Sequence, residues 1–349
     1  MKAVNAELFT GQEVFVGMDV HKRSWTVTEL YGGNMPKTYC MKPDPLELAK
    51  HLNREYPGAK FKSVYEAGFC GFWVHRELIK LGIENTVVNP ADIPTSSKEK
   101  LYKNDVRDSK KLARELSNGS LHSIYIPSKE QLKLRDLIRL ETQIVNNTTR
   151  WKNRIKSYLS LRGEKLTNRS VTALKYMRKN AKTDNDITFF FLLDGFLIEQ
   201  ERRLAVVKEQ KRLIHKLGKD KLLNCLMSIP GIGIRIATLL IAEIWDMNRF
   251  KNKDNLCAYI GFSPHLFGSG DKERMKGGGN RRHKELQSKL IEAAWRTIGV
   301  DVELRAVYCQ FTSRGSAQRA ISVVAKKLLL RVRSVWLQEK IYKLNSIQK

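Results

Sequence analysis

Asp19 closes an apolar run, VFVGMDV, and Glu66 closes another, SVYEAG, just before Gly68. Asp105 and Asp108 stand three apart in KNDVRDSKK, one helical turn, so both carboxylates project from the same face. Strand ends and a helix face are where an α/β sheet gathers side chains into one cleft. Four carboxylates gathered in this way repel one another and hold their protons more tightly unless cations neutralise them. Oxygen donors without His or Cys select a hard ion, Mg²⁺ or Mn²⁺. Two such ions can clamp the attacking and leaving oxygens of a phosphodiester. Singly, each residue has a plainer reading, an Asp as a strand-end cap and the i, i+3 pair as a solvated helix start. Order and context together make them a constellation.

The elements that must position these residues can be read from the first 126 residues, which alternate strand and helix patterns. Val14–Val20 is a run of strand length and Ser24–Tyr31 alternates, so with His21-Lys22-Arg23 between them they form an antiparallel hairpin. Pro36–Met41 adds a third strand. A helix runs from the N-cap Asp44, with Pro45 behind it, to Glu55. Strand Ser63–Ala67, helix Phe72–Leu81 and strand Asn85–Val88 follow. Helix Asp105–Ser117 ends at Asn118-Gly119, and a last strand spans Ser123–Ile126. This is a mixed sheet with helices, an α/β domain over residues 1–127.

Residues 128–220 change character. Leu137, Ile144, Trp151 and Tyr158 fall seven apart, and Leu193, Leu197, Leu204, Val207, Ile214 and Leu217 repeat with heptad-like spacing. Two long helices of coiled-coil type follow, as a plain bundle or as a spacer or dimer contact, with a loop at Asn180–Asp186. From Lys221 to Lys349 the chain is mostly helical. Ser228–Ile244 holds Pro230-Gly231-Ile232-Gly233 before an apolar helix, a pattern resembling a helix-hairpin-helix element whose backbone N–H groups hold a phosphate. A tight turn needing glycines for close helix packing is the other reading. Tyr259–Lys284, with its glycines and six basic residues, reads as a mobile, phosphate-seeking loop; helices return at Ser288–Gly299 and Ala317–Leu344.

The net charge of +27 is unevenly placed. Residues 1–127 carry 18 basic and 15 acidic side chains, residues 128–220 carry 22 and 11, and residues 221–349 carry 23 and 10. A near-neutral acidic-site domain followed by a strongly basic remainder suits a protein that grips nucleic-acid phosphates. Five scattered cysteines, never spaced CxxC, argue against disulfides and a zinc knuckle. There is no apolar run of about 20 residues, no signal-peptide core in MKAVNAELFTGQE, and no P-loop, so a cytoplasmic, nucleoid-associated protein without ATP chemistry is expected.

The segments FVGMDVHK, SVYEAGFCGFWVHREL and KNDVRDSKKLA, followed by SIPGIGIRIATLLIAEI and NLCAYIGFSPHLFGSGDKERMKGGGNRR, resemble the DEDD-type insertion-sequence transposases of the insertion sequence one-hundred-and-ten family. The resemblance runs from about Val14 to Leu337. It implies a RuvC-like (RNase H-like) N-terminal domain whose metal-binding tetrad matches Asp19, Glu66, Asp105 and Asp108. It also implies a bridge-RNA-guided serine recombinase acting on double-stranded donor and target DNA. The serine, from a Ser-Gly motif in the C-terminal domain, matches Ser269 before Gly270; Gly268 stands where the pattern commonly has a first serine, and Ser263, beside Pro264, lies outside the motif. The family further implies a homo-oligomer, a dimer or a tetramer in the synaptic complex, in which one subunit's tetrad meets another's serine. Arg274, Lys276, Arg281 and Arg282 are candidate phosphate contacts with Gly231 and Gly233, a solvated basic loop being the alternative for the four cations. A hydrolytic metal-dependent nuclease and a non-catalytic nucleic-acid-binding protein are the rival readings.

Overall fold

The computed structural model describes residues 9–33, 35–94, 104–164, 171–183, 186–263, 265–268, 273–276, 282–313 and 315–344. The chain forms two compact units, residues 1–127 and 128–349.

In the first unit, strands β1 (Glu13–Val20), β2 (Trp25–Tyr31) and β3 (Lys37–Met41) run as an antiparallel meander. Helix α1 (Pro45–Glu55) starts where Asp44 accepts the Leu46 amide at 2.8 Å and Pro45 presets the first turn. Strands β4 (Lys60–Glu66) and β5 (Glu84–Val88), with α2 (Trp73–Lys80) between them, pair in parallel, β4 also with β1. Helix α3 (Asp105–Ser117) follows, and the sheet order is β3-β2-β1-β4-β5. Alternation sorts the two faces. Val14, Val16, Met18, Trp25, Val27, Phe61 and Tyr65 pack with Leu48 and Leu52 of α1 and with Val74 and Leu78 of α2. Val64 and Val88 meet Leu112 of α3 on the opposite face.

The strand expected at Ser123–Ile126 is instead a single antiparallel bridge between Ser123 and Val88, with the Ile124 amide donating to Val87. Pro127, which has no N–H, follows at once and gives the ladder no further donor.

In the second unit, α4 (Lys129–Ser160) and α6 (Ile187–Lys216) run antiparallel, with Gln210 bonding the Leu137 carbonyl near one end and Tyr158 bonding Asp186 at the other. Helix α5 (Val171–Thr183) packs on α6, so part of the loop expected at Asn180–Asp186 is helix; Ala181 is buried there and its carbonyl accepts the Asp186 amide. Leu134 and Ile138 of α4 and Ile214 of α6 share one core with α7 (Asp220–Met227), α8 (Ile234–Ile244), α9 (Lys253–Ile260), α10 (Lys284–Thr297), α11 (Val302–Thr312) and α12 (Ala317–Gln338). Between α9 and α10, in the stretch expected to be a mobile loop, β6 (His265–Gly268) and β7 (Glu273–Lys276) pair as an antiparallel hairpin. Among the described residues no helix is long and apolar enough to cross a membrane.

Candidate metal centre and nucleic-acid interface

Asp19 is the seventh residue of β1. Its neighbours Met18 and Val16 point into the core beneath α1 and α2, so period-two alternation turns Gly17 and Asp19 to the face covered by α3. The helix comes this close because position 17 is glycine. A Cβ there would lie 2.1 Å from the Ser109 carbonyl oxygen and 2.4 Å from the Ala113 nitrogen, both backbone atoms of α3. A buried hydrogen bond of 2.8 Å between Thr28 Oγ1 and Ser109 Oγ ties the same helix to β2. Asn104 caps α3, accepting the Val106 amide at 2.9 Å, and so sets Asp105 and Asp108 in its first turn. Glu66 ends β4 one step past the Met18–Tyr65 pair, level with Asp19, and shares a face with Val64, which packs on Leu112.

Asp19, Glu66, Asp105 and Asp108 therefore line one cleft of about 80 Å³, together with His21 and Leu112. That volume has room for ions or a few waters. Burial raises the Asp19 carboxyl above the usual carboxylate range; His21 opposes the shift, and Asp105 and Asp108 add to it. The His21 ring nitrogen Nε2 lies 3.3 Å from Asp19 Oδ2 and 3.7 Å from Asp105 Oδ2. Clustered anionic donors, one of them held against ionisation, are the environment a divalent cation relieves, so the residues fit a metal.

In the second unit, the turn between α7 and α8 gives its two glycines different work. Gly231 has φ 83°, and a Cβ there would meet Thr297 Oγ1 at 2.3 Å and the Ala293 carbonyl oxygen at 2.6 Å on α10. Thr297 also donates to the Pro230 carbonyl at 2.8 Å. Close helix packing thus accounts for Gly231. Gly233, the N-cap of α8, faces open space, and its carbonyl accepts the Ile236 and Ala237 amides at 3.0 Å.

The hairpin segment leaves and rejoins its unit at one point. Gly261, at φ 99°, sits against Arg282, the Gln287 side chain donates to the Gly261 carbonyl at 2.7 Å, and the His283 amide donates to the Tyr259 carbonyl at 3.1 Å. Beneath them lies Glu243 of α8, 3% exposed, with Arg135 Nε and His283 Nε2 at 3.0 and 3.3 Å and Arg139 at 3.7 Å. Burial by itself would raise the Glu243 carboxyl; the His283 contact and the two arginine charges outweigh it and hold it below its ordinary range. Ser269, Gly270 and Arg281 lie outside the described residues, and so do the side chains of Arg274 and Lys276 on β7. Arg282 is exposed and Ser263 half-buried at the segment's roots.

Three residues escaped the sequence reading. His21 lines the cleft and sets a ring nitrogen beside the carboxylate oxygens; its place two residues after Asp19 is the signal that the sequence carries. A glycine inside an apolar strand marks close backbone approach, which would have found Gly17. Glu243 interrupting an apolar helix marks a buried charge that needs partners.

Comparison with known proteins finds two family models. One, described as a transposase of the DEDD IS110 type, matches residues 16–162. The other, described as the transposase IS116/IS110/IS902 family, matches residues 223–309. Among curated relatives, the putative transposase y4rJ of Sinorhizobium fredii is 27% identical over 321 residues, covering 81% of this chain and 80% of that protein. The transposase for insertion sequence element IS1533 of Leptospira borgpetersenii is 25% identical over 335 residues, 92% of this chain and 95% of its own. The transposase for insertion sequence element IS1111A of Coxiella burnetii is 24% identical over 233 residues, 65% and 63% of the two chains.

Proposed function

Since this chain is a transposase with both domains of the IS110 family, an enzyme acting on DNA with a divalent metal, we propose that it cuts and rejoins DNA strands through Ser269, with Asp19, Glu66, Asp105 and Asp108 holding Mg²⁺ or Mn²⁺. The observation that carries the reading is the convergence of four carboxylates, spread over ninety positions, on one cleft. A RuvC-like identity for the first unit is supported by its strand order, with β1 between an antiparallel meander and two parallel strands, and by acids at strand ends beneath a covering helix.

In this reading the Ser269 oxygen attacks a DNA phosphorus, the bond to the 3′ oxygen breaks, and a phosphoserine and a free 3′-hydroxyl result. A different 3′-hydroxyl then attacks the phosphoserine and releases the serine, so the number of ester bonds is conserved and no ATP is consumed. A bound divalent ion supplies charge neutralisation at the pentavalent phosphorus. The carboxylates orient and hold it, while Gly233 with the α8 amides, and Arg274, Lys276, Arg281 and Arg282, grip phosphates; Gly231 acts by setting the turn. Serine and carboxylates belong to different units of the chain, which suits a homo-oligomer, a dimer or a tetramer at synapsis, pairing one subunit's serine with another's acids. A bridge RNA as guide follows from the family resemblance, and the basic excess of residues 128–349 suits RNA as well as DNA.

The test is covalent capture. Wild type with cleavable DNA and Mg²⁺ forms a protein–DNA adduct, and Ser269→Ala forms none. An adduct that persists in the variant removes Ser269 from its role, and strand cleavage without any adduct makes the enzyme a hydrolytic nuclease. Mixing Ser269→Ala with Asp105→Ala subunits restores part of the activity if the site is shared, and none if each chain is complete.

A further inference from the structure

His21 stands inside the carboxylate cleft and has no part in the four-acid description of it. His21 follows β1 directly, at the start of the β1–β2 turn, and its ring Nε2 reaches the oxygens of both Asp19 and Asp105. The His21 amide donates to the Ser24 carbonyl at 3.2 Å, which closes the β1–β2 turn and fixes the residue at the mouth of the cleft. One donor atom each from Asp19, His21 and Asp105 lie within 4.8 Å of one another. An octahedral ion with bonds of roughly 2.1 Å holds neighbouring donors about 3.0 Å apart and opposite ones about 4.2 Å apart. The imidazole nitrogen, at 3.3 Å from one carboxylate oxygen and 3.7 Å from the other, falls between these limits. For all three to share one ion, their donor atoms, now within 4.8 Å of one another, must close to within about 4.2 Å.

We propose that His21 is a metal ligand, which makes this a mixed nitrogen–oxygen centre in which Asp19, His21 and Asp105 share one ion. The proposal rests on the metal-site reading above. Carboxylates alone serve Mg²⁺ and Mn²⁺ comparably, whereas imidazole binds the later divalent ions more strongly than Mg²⁺. His21 therefore tilts the centre toward Mn²⁺, and its removal costs Mn²⁺ affinity more than Mg²⁺ affinity.

The probe is Mn²⁺ alone, added to the full-length protein without nucleic acid. Free ion is counted by electron paramagnetic resonance, and bound ion is read by electron spin-echo modulation from nitrogen. Wild type is expected to show ¹⁴N modulation of a coordinated imidazole, replaced by the ¹⁵N pattern when the protein is grown with ¹⁵N-histidine. His21→Ala is expected to keep a bound ion on its carboxylates, with affinity lower by about tenfold or more, and to lose the nitrogen signal. Asp19→Asn is expected to abolish this binding. Asp19-dependent Mn²⁺ binding without nitrogen modulation, or with modulation unchanged in His21→Ala, overturns the role of His21 and leaves the metal site standing. Wild type without Asp19-dependent Mn²⁺ binding overturns the metal site itself, and the ligand with it.

Discussion

Asp19 joins two requirements that oppose each other. Its place on β1 puts it among like charges, and burial lifts its carboxyl above the ordinary value near 4. A carboxyl raised by folding contributes stability below the unfolded value, and that contribution is lost as pH rises through the folded value. The metal-free transposase should therefore lose melting temperature on this account from about pH 4 upward, and added Mg²⁺ should restore it near neutrality. Asp19→Asn should melt higher than wild type at pH 7 without metal, gain nothing from Mg²⁺, and lose strand cleavage by at least about a hundredfold. Melting curves with and without Mg²⁺ across pH check the sign, and a variant that melts lower than wild type at pH 7 without metal contradicts it. The acids themselves were legible, because strand-end and first-turn positions can be read from apolar runs and an N-cap. His21 was not, because a histidine beside an aspartate looks like any turn residue until both are seen facing a third donor.

At the scale of elements, the cleft depends on how near α3 lies to β1. The helix and its Asn118-Gly119 end can be read from sequence, but the distance is set by Gly17 against Ser109 and Ala113, a contact across some ninety residues. Gly17→Val should force the helix away at a cost of roughly 1–3 kcal/mol or more. It should also abolish Mg²⁺ binding measured by calorimetry, although every ligand is intact; a folded Gly17→Val protein with normal Mg²⁺ affinity would show that the packing does not position the acids. The same limit explains the misread elements. Whether Ser123 extends a ladder depends on Pro127 and on β5, and Asn180 lies in a helix that packs on α6 with Ala181 buried. Local propensity carries neither fact.

For the molecule as a whole, residues 128–349 hold an excess of 24 positive charges, and this imbalance is visible in composition. Which cations remain available to DNA is not visible there. Arg135 and Arg139 serve the buried Glu243, and Arg331 bonds Asp301, which is 1% exposed, and Glu303. Arg331→Ala should thus cost stability, about 3–5 kcal/mol for breaking a buried pair, read by denaturant unfolding. Arg282→Ala should leave stability unchanged, weaken DNA binding, and reduce the slope of log affinity against log salt by about one. If the two variants exchanged these effects, the division between structural and DNA-facing cations would be wrong.

The contact of Gly261 with Arg282 has a consequence for how such enzymes can diversify. A segment whose two ends touch can grow, shrink or be replaced without stretching its frame. Residues 263–281, beyond Phe262, which packs on the core, should accordingly behave as a cassette. Grafting the corresponding stretch from a relative of different length should leave the melting temperature nearly unchanged while altering DNA affinity. Selection can then act on how the enzyme handles DNA while the helical frame stays constant.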